Sequence, residues 1–205
     1  DHGHLGLHLH HNHKSTHVHL IDKVSSIIDK IQKKYATLID SRLHIQKLDA
    51  QDIVLAETSR QMIIIAGVGG GTIKSLLQAI ITNPRNDTQY AIDFILSPNA
   101  HTFELRRFLN NNENNKKFEL IKETFISDNG KHHEHIFVRL HAQNTYFESH
   151  VSTTGEKIWL PLTSAKEEYL EKLTQHYVRI NAFKGTPLTF EAERKYKTLL
   201  SNLKK

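Results

Sequence analysis

Two runs in the middle of the chain, QMIIIAG (residues 61–67) and QYAIDFILS (residues 89–97), are almost wholly apolar, and each leads into a helical pattern. A strand with one wet face alternates polar with apolar, whereas a continuous apolar run fits a strand covered on both faces, as in parallel sheets flanked by helices. The flanking stretches extend the pattern. THVHLID (16–22) and LHIQKLD (43–49) read as strands. KVSSIIDKIQKKY, GTIKSLLQAII and TFELRRFLNNN read as helices, the first with Val24, Ile27, Ile28 and Ile31 on one face. KFELIKETFIS and HHEHIFVRLHA flank DNGK, a turn signal that joins them as a hairpin. Alternating strands and helices that close with a hairpin predict an α/β fold. Its sheet is mostly parallel, with antiparallel strands at one edge.

The last forty or so residues follow another rule. Leu170, Leu173, Tyr177 and Ile180 recur at three and four residues. Gly185 and Pro187 interrupt the chain, and Ala192, Tyr196, Leu199 and Leu203 repeat the rhythm. Two helices joined by a tight turn predict a helical hairpin over 161–205, after a domain over 1–160. Ser164 and Glu167 form a capping-box pattern at its start. Its polar faces carry Lys166, Lys172, Arg179, Arg194 and further cations, with acids interleaved. A solvated surface explains that mixture as well as an RNA-binding face does.

Composition narrows the chemistry. The chain has no cysteine, which rules out disulfides, thiolate metal ligands and a cysteine nucleophile, and fits a reducing compartment such as the cytoplasm. No apolar run is long enough for a membrane span. The formal net charge of +5 weakly favours a polyanionic partner.

The informative pattern is where acids fall. Asp22 ends one expected strand, Asp49 the next; Gly67 ends the third within AGVGGG, and Pro98-Asn99 end the fourth. In open α/β sheets ligands bind at the carboxyl ends of strands, so these residues are expected on one rim. A carboxylate there can accept both ribose hydroxyls of a nucleoside, and a second acceptor can meet an exocyclic amine. Asp22 also lies at the usual distance of a ribose-binding acid from the opening glycines. The competing reading of each acid is a helix N-cap, and that of the glycines a tight strand-to-helix turn. AGVGGGTIKS is not a phosphate loop, because Ile73 precedes Lys74. It is not a dinucleotide fingerprint either, because position 72 is Thr72.

DHGHLG, VHLID, IIIAGVGG, ILSPNAHTFELRRFL and ISDNGKHHEHIFV occur in that order. Together they resemble the bacterial tRNA (adenine-22, N1)-methyltransferase family, TrmK, over roughly residues 1 to 140. Asp1-His2, Ile65 to Gly70, Pro98-Asn99, and Asn129 to Lys131 with Glu134 match that family's motifs. Val68 and Ser97 stand where the family has Met and Gln, and His4 and Gly6 where Tyr and Pro are common, so the chain reads as a divergent branch. The resemblance implies a Rossmann-like class I methyltransferase sheet with its first strand upstream of residue 1, and S-adenosylmethionine as cofactor. Asp1, His2, Asp22, Asp49, Ala50, Ala66 and Gly67 would hold the cofactor. Asp1 and Asn99 would be catalytic, Asp1 by taking the N6 proton of the target adenine. Pro98, Asn99, Arg106 and Arg107 would hold the tRNA, with Lys116, Lys117 and the helical hairpin as further contacts. On this reading, removing residues 164–205 weakens tRNA binding and spares the cofactor. The alternatives are a class I methyltransferase acting on another RNA or a small molecule, and a catalytically silent RNA-binding relative. A nicotinamide-dependent oxidoreductase shares the sheet but lacks its fingerprint in this sequence.

Eight of the sixteen histidines fall within the first nineteen residues. His4, His8 and His11 share a helix face, but no acid joins them at a fitting spacing, so no metal is expected. Leucines interleave with them at core spacing, which does not suit an expression tag.

Overall fold

The computed structural model describes residues 3–55, 60–86, 90–111, 118–141 and 149–205. They form two compact units, one of residues 1–55 with 76–86, the other of 56–75 with 87–205.

In the first unit α1 (His4–His11) precedes β1 (Val18–Asp22), α2 (Ser25–Lys34) and β2 (Leu43–Lys47). β1 and β2 pair in parallel from Val18 opposite Leu43 to Asp22 opposite Lys47. Leu7, Val18 and Leu43 are buried together, with Leu20, Tyr35 and Ile45 packed around them. α2 buries Ile28 and Ile31, three residues apart as the helical pattern requires. Asn86 pins residues 53–55 in place. Its Oδ1 accepts from the Leu55 N–H at 2.8 Å, and its Nδ2 donates to the carbonyls of Ile53 at 2.9 Å and Ile80 at 3.1 Å. A buried amide satisfied on both sides in this way is a structural clamp.

In the second unit β3 (Gln61–Ala66) pairs in parallel with β4 (Ile92–Ser97). β6 (Lys131–Leu140) runs antiparallel between β4 and β5 (Phe118–Asp128), giving the order β3-β4-β6-β5. α3 (Gly70–Thr82) follows β3, and α4 (Thr102–Asn110) follows β4. The hairpin turn is the one its sequence demands. Asn129 (φ 49°) and Gly130 (φ 72°) both lie in the left-handed region, with Asp128 opposite Lys131.

One expectation about burial fails. β4 is buried on both faces, but β3 is only half-buried and Met62 is 52% exposed. Among the described residues β3 pairs with β4 alone, whereas β4 is flanked by β3 and β6. The strands pair as two sheets, β1-β2 and β3-β4-β6-β5.

The helical hairpin forms as expected, from α5 (Ser164–Lys184) and α6 (Pro187–Leu203). The α5 cap is one residue earlier than the Ser164–Glu167 pattern suggested. Thr163 accepts from the Lys166 N–H, and the true capping box joins Thr186 and Thr189 at the start of α6. Leu170, Tyr177, Ala192 and Tyr196 make the buried seam, shared with Phe103 of α4 and with Ile158 and Trp159. Burying each such side chain stabilises by about 1.5–3 kcal/mol. Removing residues 164–205 would therefore strip the cover from Phe103 and Trp159, and loss of tRNA affinity in that deletion would not isolate an RNA contact. Among the described residues, no helix is long and apolar enough to cross a membrane.

Candidate active site

Asp22 and Asp49 stand at the carboxyl ends of two adjacent parallel strands. The Asp22 carbonyl accepts from the Leu48 N–H at 3.1 Å, which ties the two strand ends together. Each acid uses one carboxylate oxygen locally. Asp22 Oδ1 accepts from the Val24 N–H at 2.8 Å, and Asp49 Oδ1 from the Gln51 N–H at 3.1 Å. The capping reading holds for Asp49, the N-cap of the short turn that follows it; Asp22 instead closes a local turn on the N–H of Val24, the residue that itself caps α2. Neither Oδ2 has a partner among the described residues. A carboxylate steadied through one oxygen and open through the other is preorganised to accept hydroxyl or amine protons. Ala50 begins the short turn after Asp49 and is half-buried.

In the second unit the loops after β3 and β4 are stitched by their backbones. The Asn99 N–H donates to the Val68 carbonyl at 3.0 Å, and the Gly70 N–H to the Ala100 carbonyl at 2.7 Å. Asn99 Nδ2 donates to the Gly67 carbonyl at 3.3 Å. Asn99 is exposed and its Oδ1 has no partner among the described residues, so it can accept from a base edge. Pro98 is buried beneath the loop, and Ala66 and Gly67 are exposed at the end of β3. Gly67 (φ 81°) has open space where a side chain would point.

Gly70 is held to glycine by close approach. A Cβ there would lie 2.3 Å from the backbone oxygen of His101, which is itself fixed at φ 56°. We expect Gly70→Ala to destabilise the protein by about 2 kcal/mol, because two backbones must separate. Gly71→Ala meets only the Glu104 side chain at 3.6 Å and is expected to be neutral or stabilising. Urea midpoints of the two variants decide this; equal midpoints would show that the loops yield freely.

Arg106 does not have the role expected for it. It is fully buried, with Nη1 2.8 Å from Glu123 Oε2 and Nε 3.0 Å from Glu134 Oε2. It cannot reach an RNA backbone. The signal was present in the sequence: Arg106 lies three residues from both Phe103 and Leu109, on the apolar side of α4, and Glu134 shares the inward parity of Ile136 and Val138. Arg107 is exposed and carries one ion pair, 3.4 Å from Glu191. A second buried acid, Asp93, was also missed. It accepts from Arg139 at 2.7 Å and from Arg60, and these hydrogen bonds hold its carboxyl below the usual range against the opposing effect of burial.

Asp1, His2, Lys116 and Lys117 lie outside the described residues. Among the described residues, no three acid or histidine side chains meet in a way that could hold a metal ion. The α1 histidines engage neighbours singly: His4 Nδ1 lies 3.2 Å from the Tyr35 hydroxyl, and His10 is buried 3.6 Å from Asp40.

Known proteins share this architecture. No curated protein sequence matches the chain. The Bacillus subtilis m1A22 tRNA methyltransferase TrmK is 19% identical, with a TM-score of 0.68 over 99% of this chain and 88% of that one. Mycoplasma capricolum TrmK, solved with S-adenosyl-homocysteine, is 14% identical, with a TM-score of 0.70 over 100% of this chain and 88% of that one. A Streptococcus pneumoniae protein solved with S-adenosyl-L-methionine is 19% identical, with a TM-score of 0.70 over 98% and 88%. These likenesses establish a Rossmann-like α/β fold with C-terminal helices. Residues 1–136 of the 205 match the sequence family described as a methyltransferase domain, and the chain belongs to that family.

Proposed function

We propose that this protein transfers a methyl group from S-adenosylmethionine to N1 of an adenine in tRNA, adenine 22 by its resemblance to TrmK. The observation that carries the reading is the pair of strand-end acids, each with one oxygen fixed by backbone and one left to accept. The residues suit the cofactor: Asp22 would take the ribose hydroxyls and Asp49 with Ala50 the adenine ring, and by the resemblance Ala66 and Gly67 would serve the methionine portion. When bound, S-adenosylmethionine supplies a sulfonium methyl carbon as electrophile.

Adenine N1 already has a free lone pair, so this chain need not create a nucleophile. Its task is to align N1 and to absorb the positive charge that develops on the base. Asn99 Oδ1 accepts from the base edge, and Pro98 stiffens the loop that carries it. Asp1 takes the proton released from N6. The base must leave its stack, because N1 lies on the pairing edge. Arg107 and cations of the helical hairpin hold the backbone. A tRNA substrate and a chain without cysteine fit the cytoplasm.

The test is calorimetry with S-adenosylmethionine, followed by mapping of methylated bases in tRNA incubated with protein and cofactor. A single N1-methyladenine is the expected product. Cofactor binding with no methylated tRNA would move the acceptor elsewhere, and absence of cofactor binding would leave an RNA-binding relative without activity.

A further inference from the structure

α5 carries a stripe that neither the sheet nor the hairpin seam uses. His176, Arg179 and Phe183 are three and four residues apart, so they share one helix face. All three are exposed, and Phe183 is 87% exposed, more than any other large apolar side chain of the described residues. At 1.5 Å per residue the stripe is on the order of 10 Å long.

Its lower end leads to the β4–α4 loop. His101, two residues after Asn99, lies near enough to influence His176. Burial, with His101 and Arg179 beside it, holds the His176 imidazole below its ordinary pKa. At its upper end Phe190 of α6, 54% exposed, folds against Gly185 at the turn.

Charge identifies the partner. Every acid of α5 is already engaged: Glu167 and Glu171 with Lys204, and Glu168 with Lys172. Among the described residues Arg179 meets only the Gln175 amide oxygen, at 3.5 Å. The face therefore carries one uncompensated cation, Arg179, beside imidazole donors, and ends in an exposed aromatic ring. Phosphates take the cation and the donors, and unpaired bases stack on exposed aromatic faces.

We infer that His101, His176, Arg179 and Phe183 form a track for one RNA strand, with Arg179 and the imidazole N–H groups on phosphates and Phe183 stacked on an unpaired base beside the target nucleotide. The inference rests on the proposed tRNA substrate and adds a strand-binding face to it. The track starts at the loop that carries Asn99, so it orients the strand on either side of the base presented there.

The test uses the whole protein, bulk tRNA and filter binding across a salt series. Phe183→Ala is expected to weaken binding about tenfold, within the range for one lost base stack, and Phe183→Trp to retain it. Arg179→Ala is expected to lower the slope of log affinity against log salt by about one, as for one lost phosphate contact. S-adenosylmethionine affinity stays unchanged in all three. Wild-type affinity and slope in Phe183→Ala and Arg179→Ala would overturn the track while leaving the methyl-transfer reading intact. A Phe183→Ala variant that changes oligomeric state but not tRNA affinity would also overturn it, by giving the face to a second copy of the chain. A wild-type protein that does not bind tRNA would remove the proposed substrate itself, and the track with it.

Discussion

Arg106→Ala is expected to cost about 3–5 kcal/mol of folding stability, enough to unfold a domain of ordinary stability. Among the described residues the guanidinium is the single cation of a cluster with two buried carboxylates, Glu123 and Glu134. It also holds the carbonyl of Ser152 at 3.2 Å, and Gly155 folds so closely over it that a Cβ there would lie 2.6 Å from Nη2. One side chain thus joins α4, β5, β6 and the segment that leads to Trp159. Its removal leaves two acids in a dry interior without a counter-ion.

The geometry also says how the acids share the charge. Nε and Nη2 both approach Glu134 Oε2, at 3.0 and 2.9 Å, and the Tyr169 hydroxyl also acts on the carboxyl. Burial, reinforced by the Glu123 charge, raises Glu134 above the ordinary carboxylate range despite Arg106. A carboxyl whose folded pKa is raised contributes stability below its unfolded value and loses it as pH rises through the folded one. Glu134→Gln should therefore flatten the alkaline side of the stability profile, and Arg106→Ala with Glu134→Gln should recover part of the loss of Arg106→Ala alone. Guanidinium denaturation of the three variants from mildly acidic to mildly alkaline pH measures both effects. A double variant no more stable than Arg106→Ala would show that the lost contacts to Ser152 and Glu123, not the stranded charge on Glu134, dominate.

That cluster also marks where local sequence signals stop informing. The Asn129-Gly130 turn was legible because its geometry is a property of two residues. The α5–α6 hairpin was legible because its seam repeats every three to four positions over thirty residues or more. Residues 149–163 have no period, so nothing local announces that Trp159 is fully buried in the seam with its Nε1 donating to Thr154. Arg106 and Arg107 are adjacent identical residues whose fates diverge by helix phase alone. At the site, Asp22 and Asp49 were placed correctly at strand ends; which of their oxygens the backbone occupies depends on turn geometry that sequence does not display.

That last distinction makes the acids testable separately as turn braces and as ligands. Asp22→Asn is expected to weaken S-adenosylmethionine binding by roughly 100-fold while leaving stability nearly unchanged. Asparagine keeps an oxygen where Oδ1 accepts from the Val24 N–H, so the turn before α2 survives. At the other position an amide replaces the open oxygen, presenting donors to ribose hydroxyls that also donate, and removing the charge. Hydrogen bonds to a charged group contribute about 1.5–3 kcal/mol each, and two hydroxyls share this acceptor, which sets the expected magnitude. Asp22→Ala removes the hydrogen bond to the Val24 N–H as well and should lose binding together with about 1 kcal/mol of stability. Calorimetric titration with the cofactor, beside thermal unfolding without it, separates the two roles. If Asp22→Asn binds as the unchanged protein does, the carboxylate only closes its local turn, and the adenosine must be gripped from another residue.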